Sequence, residues 1–427
     1  MNSGSLDQWL EKLETLHPSE IELGLERVAR VAGAMDLLHP AAPVVSVAGT
    51  NGKGSTVAVL EALLIRCGIR VGAYTSPHFL RFNERIRVNA VPAPDSEIVE
   101  AFEEVAAARG ETSLTYFEFA TLAALSVFRT HRCDVLLLEV GLGGRLDAVN
   151  ILDATVAVIT SISLDHQQWL GDTRGQIGYE KAGIARAGCP VVIADPDPPA
   201  AMLNKVVEAG AEPILRLGVD YHVVTEGEKA WHARLRCERE GERRLPEMNT
   251  SGLLPENIAA AAQAALLLGV AFTDAVVVSA VQDGGLTGRR QHRRVDGRHY
   301  VLDVAHNPAS VNKLHEYIAS IGCNEKKIAV FAAMADKDLG AMLRPLSGVF
   351  DAWFLAELPQ VPRAAGTAQL ADLLRAQGDT MISVSKNLRQ ALRRAQSVMA
   401  PGDLLVVFGS FHTVAAVLPV LDREAPK

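Results

Sequence analysis

Cysteine is sparse and carries no pattern: the five in 427 residues stand at 67, 133, 189, 237 and 323, an odd number with no C-x-x-C pair. That argues against a disulfide framework and a zinc site, and it fits a reducing cytoplasm. A surplus of positive charge is missing too. The formal net charge is −8, so neither nucleic acid nor an anionic membrane is an expected partner. The longest apolar stretch, 258–272, is alanine-rich, interrupted by Gln263 and short for a membrane span. Nor does the N-terminus resemble a signal peptide. Ser5 and Gln8 have the spacing of a capping box, and Leu6, Trp9, Leu10 and Leu13 fall on one helical face. There is no internal repeat, and the one low-complexity patch, Asp195-Pro196-Asp197-Pro198-Pro199, reads as a surface turn.

What is present is a long alternation of short β-branched runs with helical patterns. At 48% hydrophobic content, 427 residues favour two domains over one core. Runs at 44–48, 71–74, 135–140, 155–160 and 191–194 read as buried parallel strands of an α/β layer fold. Between 214 and 245, polar and apolar residues alternate, with turn residues at 226–227 and 240–241, which suggests a small antiparallel insertion decorating the first domain. Helical stretches at 256–268 and 274–281 lead to Gly284, Gly285 and the basic run Gly288-Arg289-Arg290-Gln291-His292-Arg293-Arg294. A second, smaller α/β series follows, with strands at 300–304, 328–334, 352–356, 381–384 and 404–408. The expected division is a first domain at 1–285, a hinge at 286–296 and a Rossmann-like domain at 297–427.

The most telling segment is GTNGKGS, which follows the run 44–48 and opens a helical stretch at 56–67. Gly49, Thr50, Asn51, Gly52, Lys53, Gly54, Ser55 and Thr56 have the chemistry of a phosphate cradle. Glycines let backbone N–H groups approach phosphate oxygens, the helix N-terminus favours an anion, and Lys53 supplies a cation. Ser55 or Thr56 can then reach a magnesium ion. The spacing departs from the common P-loop: Ala48 stands where its first glycine is expected, and Gly54 separates Lys53 from the hydroxyl. A bare glycine-rich turn is the competing reading.

Other chemistry-bearing residues gather at strand ends, where open α/β sheets place ligands. Thr75-Ser76-Pro77-His78 leads into a cationic loop holding Arg81, Arg85 and Arg87, which charge alone makes a solvated loop. Glu139 ends an apolar strand, a costly place for a carboxylate without a cation. Nucleotide-bound magnesium supplies one, and an ion pair with Arg145 is the bland alternative. Asp165 and His166 follow another strand, although a lone histidine is more often structural. Lys181 closes a helical pattern, where most lysines are solvated. In the second domain, Asp303 can serve a ribose or a magnesium-bound water, and His306 or Asn307 a phosphate or base edge; Asn307 followed by Pro308 is equally a helix start.

Taken together, these motifs resemble the folylpolyglutamate synthases and bifunctional dihydrofolate synthases of the Mur ligase superfamily. The likeness spans nearly the whole chain, through GTNGKGS, TSPHFLRFNERIRVN (75–89), TYFEF (115–119), EVGLGGRLDAVN (139–150), SLDH (163–166), EKAGI (180–184), DVAHNP (303–308) and FGSFHTV (408–414). It implies an ATP-dependent amide ligase: a substrate carboxylate takes the ATP γ-phosphate, and the amine of L-glutamate attacks the acyl phosphate. Carried over by position, the resemblance puts Lys53 on the phosphates, Ser76, Glu139 and His166 on Mg2+, and Asn257 on the adenine side. It gives Arg289, Asp303 and His306 to the nucleotide, implies domain closure at 288–294, and marks Lys181 as a lysine carbamylated in relatives. Arg81, Thr115, Phe117, Asp147 and Ala148 are assigned to the pterin substrate, and Ser410 and His412 to glutamate. The expected partners are ATP, L-glutamate, dihydropteroate and reduced folates, for a cytoplasmic monomer. A monofunctional folylpolyglutamate synthase, a cell-wall ligase and a non-enzymatic nucleotide switch are the competing functions.

Overall fold

The computed structural model describes residues 4–17, 19, 21–226, 230–237, 241–249, 252–283, 287–323 and 325–424. Two compact units divide the chain, Met1–Gly284 and Gly285–Lys427.

The first unit is built on an eight-stranded sheet. Its strands are β1 (Val44–Ala48), β2 (Val71–Tyr74), β3 (Ile86–Val88), β4 (Val91–Pro92), β5 (Val135–Glu139), β6 (Val156–Ile159), β7 (Val191–Ile193) and β8 (Ile214–Arg216), in the spatial order β4-β3-β2-β5-β1-β6-β7-β8. β1 is buried along its whole length: β5 and β6 pair with it in parallel on its two edges, and its side chains enter cores on both faces of the sheet. The chain leaves β1 toward one side of the sheet and later returns to fill the other. The carboxyl end of β1 is therefore a topological switch point, the place where such sheets open a crevice. β3, within the 75–89 loop region, and β4, just after it, are antiparallel additions, and the five expected parallel strands all form, with ends differing by at most one residue.

The antiparallel insertion begins later than the alternation suggests, because β8 pairs in parallel with β7 and belongs to the main sheet. β9 (His222–Glu226), β10 (Ala230–Cys237), β11 (Gly241–Arg244) and β12 (Met248–Asn249) form a separate four-stranded sheet in which β10 pairs with the other three. Both turns expected from sequence fall between these strands, with 227–229 and 238–240 outside the described residues. Trp231 and Leu235 of β10 enter one core with the helices Lys53–Arg66 and Pro255–Leu267. The apolar run at 258–272 is thus largely a packed helix, in which Ala259 to Ala262 are fully buried. Among the described residues, no helix is long and apolar enough to cross a membrane.

The second unit carries β13 (Gln291–Val295), β14 (Arg298–Leu302), β15 (Lys327–Phe331), β16 (Ala352–Ala356), β17 (Ile382–Ser385) and β18 (Leu404–Phe408), in the order β13-β14-β18-β15-β16-β17. All pair in parallel except β13, which forms a hairpin with β14. This corrects part of the expected hinge. Asp296 and Gly297 both take positive φ, 48° and 74°, as a two-residue hairpin turn requires, and the basic run becomes an edge strand.

Leu235 is fully buried where the insertion meets the helices. Leu235→Ala should destabilise the first unit by about 2–5 kcal/mol, read as a lower urea midpoint for its unfolding.

Candidate active site

The glycine loop grips its surroundings wherever a side chain is missing. Gly49 takes φ +146°, and a Cβ there would lie 1.7 Å from Thr160 Oγ1, so only glycine fits. Gly52, at φ +95°, starts the helix Lys53–Arg66 and faces Asn257, whose amide oxygen is 2.6 Å from where a Cβ would sit. The loop beyond β6 supports the other side. Thr50 N–H donates to Ser161 O at 2.7 Å, Thr50 Oγ1 accepts from Ser163 N–H at 3.0 Å, and Ser161 Oγ donates to Asn51 O at 3.2 Å. Lys53 folds back so that Nζ donates to Gly49 O at 3.1 Å and Thr50 O at 3.3 Å. Ser55 is buried, and the buried Thr56 hydroxyl has no hydrogen-bond partner.

Two further groups converge on this loop. Lys181, in the last turn of the helix Arg174–Ala182, is buried and donates to Gly49 O at 2.9 Å. Burial, and then the charge of Lys53, pushes its amine down to about 7, against the pull of Asp165 and Asp147. The helix approaches because glycine allows it. A Cβ on Gly144 would lie 2.9 Å from Lys181 O, and one on Gly183 would lie 2.4 Å from Arg145 Cβ. Glu139 ends β5, buried, with Oε2 accepting Ser76 N–H at 3.2 Å and lying 3.5 Å from where a Gly54 Cβ would be. Arg145 does not pair with it. Arg145 binds Glu180 at 3.0 Å, because the backbone bond from Arg145 N–H to Glu180 O sets those two residues side by side.

Ser76 and Glu139 offer hard oxygen donors, a hydroxyl and a carboxylate, and His166 a borderline imidazole nitrogen, a mixed set compatible with Mg2+ or Mn2+. Among the described residues no group of three or more His, Cys, Asp or Glu gathers. His166 takes φ +51° and begins the short helix Gln167–Leu170.

Aromatic rings line the neighbourhood of Asp147. Phe117 lies 5.7 Å from the Tyr74 ring, and Gly141 lacks a side chain where that phenyl would collide with a Cβ at 2.6 Å. Asp147 is buried and accepts the N–H groups of Leu142 and Val149 at 2.8 and 3.1 Å; burial raises its carboxyl to about 6 against those bonds and the Lys53 charge. Ala148 is buried beside it. Thr115 caps the helix Tyr116–Thr130 reciprocally with Glu118, and Glu118 also accepts from Arg27 at 3.0 Å. Arg81 is exposed and pairs with Asp95 at 2.8 Å. Arg85 is the loop cation built into the aromatic cluster. It stands over Phe82 and Tyr116 and donates to His78 Nδ1 at 2.9 Å. Nothing in sequence spacing separates Arg85 from Arg81, nor points to Arg27.

Within the second unit, Asp303 is buried and accepts Arg290 N–H at 2.8 Å and Ala305 N–H at 2.7 Å; burial raises its carboxyl, opposed by Arg289 and Arg290. Arg289 stands 5.2 Å over the Phe411 ring, with the His306 ring 6.2 Å from it. Asn307 caps the helix Pro308–Ser320, with Pro308 in its first turn. Ser410 is buried, and its hydroxyl accepts Thr413 N–H and meets Thr413 Oγ1 at 2.7 Å. Burial of His412, and then the nearby Arg363 charge, lower its imidazole from the ordinary range.

Two family models match the chain: the Mur ligase middle domain over residues 47–252 and the Mur ligase, glutamate ligase domain over 288–411. The dihydrofolate synthase/folylpolyglutamate synthase of Escherichia coli (strain K12) is 41% identical over 424 residues, covering 98% of this chain and 96% of that protein. Among solved structures, E. coli FolC in complex with DHPP and ADP superposes with a TM-score of 0.92 at 39% identity, covering 98% of both chains. A bifunctional folylpolyglutamate synthase/dihydrofolate synthase with Mn, AMPPNP and L-glutamate bound gives 0.89 at 40% identity, also over 98% of each.

Gly49→Ala should lower nucleotide affinity by roughly tenfold or more, because both the clash with Thr160 and the positive φ displace the loop. Titration with a fluorescent ATP analogue would measure it; wild-type affinity would show that the loop tolerates the side chain.

Proposed function

Because the chain belongs to the dihydrofolate synthase/folylpolyglutamate synthase family of Mur ligases, we propose that it couples ATP cleavage to addition of L-glutamate to dihydropteroate and to reduced folates. The observation that carries this is the convergence of Lys53 and Lys181 on the Gly49 carbonyl, with Glu139 at the start of the same helix. A phosphate cradle alone would serve any nucleotide protein. A buried second lysine and a buried carboxylate at its mouth suit a ligase.

The substrate carboxylate attacks the γ-phosphorus of ATP, giving an acyl phosphate and ADP. The glutamate amine then adds to the acyl carbon, and the tetrahedral intermediate collapses with loss of phosphate, leaving an amide. The protein's part is positioning and charge neutralisation, since the transferred phosphoryl group and the oxyanion are both negative. Backbone N–H groups of residues 50–55 and the Lys53 ammonium hold the phosphates in line. A divalent cation, proposed as Mg2+ and held by Ser76, Glu139 and His166, would neutralise phosphate charge. Asn257, braced on Gly52, is proposed for the adenine side, and Arg289, Asp303 and His306 for further nucleotide contacts. Phe117, Asp147, Ala148 and Thr115 are proposed for the pterin, with Arg85 a better placed cation than Arg81. Ser410 and His412 are proposed for glutamate; the Ser410 hydroxyl already serves Thr413, which favours His412. A cytoplasmic monomer is proposed, in keeping with free cysteines at all five positions.

Lys181 is proposed to become a carbamate: its neutral amine adds CO2 and releases a proton, turning a cation into an anion able to orient the metal. An amine brought down to about 7 makes this accessible near neutrality.

Mass spectrometry after incubation with Mg-ATP, L-glutamate and either dihydropteroate or tetrahydrofolate should show glutamyl additions to both. Addition to tetrahydrofolate alone would make the enzyme monofunctional, and addition to neither would sink the ligase reading. Bicarbonate should restore the activity of CO2-depleted enzyme at about pH 8 and much less at about pH 6, where the Lys181 amine is protonated. Lys181→Ala should lose that response while still binding ATP, and a wild-type enzyme indifferent to bicarbonate would remove the carbamate.

A further inference from the structure

The proline-rich turn at 195–199 has a buried acid at its head. Asp195 is 3% exposed, at the carboxyl end of the β7 region. Its Oδ2 accepts Ile162 N–H at 2.6 Å. The carbonyl of Ile162 accepts from Arg174 Nε at 3.0 Å, so both backbone polar groups of Ile162 are held. Arg174 Nη2 closes the frame by reaching Asp195 Oδ2 at 3.3 Å and Asp197 O at 2.8 Å.

Ile162 stands between the two residues that hold the nucleotide loop. Ser161 accepts Thr50 N–H and donates to Asn51 O, and Ser163 exchanges hydrogen bonds with Thr50. Arg174 is also the first residue of the helix that delivers Lys181 to Gly49. One guanidinium thereby ties the β6 loop, the end of β7 and the Lys181 helix together. We infer that Arg174 and Asp195 are positioning residues that fix the nucleotide loop through the Ile162 peptide. A solvated ion pair would contribute little, but here the carboxylate is buried and bonded to backbone, so its loss leaves an unsatisfied N–H.

The inference rests on the ligase reading and is tested partly apart from it, by equilibrium ADP binding alongside steady-state ligation kinetics of the full chain. Arg174→Lys and Asp195→Asn should each raise the ADP dissociation constant and the ATP KM about tenfold, by misplacing the loop. The KM for glutamate should stay within about twofold of wild type. The double variant should be little worse than the single ones, because the two residues act as one frame. Unchanged nucleotide affinity in the folded variants, or an equal rise in every KM, would overturn the assignment. Arg174→Lys keeps the charge and decides the matter if Asp195→Asn does not fold. A wild-type chain that binds ADP but ligates nothing would instead overturn the ligase reading and leave the positioning role standing on the binding data.

Discussion

Two amines, the half-buried one of Lys53 and the buried one of Lys181, share a single carbonyl acceptor, that of Gly49, and much of the first unit is arranged to make this possible. The carbonyl must project from a central strand, so β1 lies between β5 and β6. The loop must turn sharply, which Gly49 and Gly52 permit and Thr160 and Asn257 enforce. The helix bearing Lys181 must come close, which the absent side chains of Gly144 and Gly183 allow. Burial first, and the neighbouring charge of Lys53 second, move Lys181 toward its neutral form. An electrostatic burden thus becomes a chemical property, a nucleophilic amine at neutral pH.

The same economy governs the acids. Glu139, Asp147 and Asp165 are all buried within the first unit, and each accepts a backbone N–H. A backbone N–H is not deprotonated near neutrality or rotated out of reach, so it fixes a carboxylate more firmly than a flexible side chain could. The substrate side depends instead on ring faces and on the absence of atoms, as where Gly141 makes room for Phe117.

Much of this architecture is legible in the sequence, because strands buried on both faces read as apolar runs and glycines announce tight turns. The parallel strands, the antiparallel insertion and the Asn307–Pro308 helix start all follow from local pattern. Burial of single polar residues does not. Lys181 closes a helix as countless solvated lysines do, and only the tertiary approach through Gly144 and Gly183 buries it. Arg81 and Arg85 are indistinguishable by spacing, yet one meets Asp95 at the surface and the other lies among rings. The basic run before Asp296 suggests a linker by charge, whereas the Asp-Gly turn beside it carries the stronger signal. The 195–199 patch has the composition of a surface turn, which hides the buried carboxylate at its start.

The alanines of the helix Pro255–Leu267 act as a spacer of fixed thickness. With methyl groups as its only side chains over Ala259 to Ala262, this helix packs into one core with the helix Lys53–Arg66, and its Asn257 stands against Gly52. Bulk added along the spacer would press on the same core that holds the helix opening at the glycine loop. The insertion sheet enters the same core through Trp231 and Leu235, so a module remote from the chemistry supports the helix that carries Asn257.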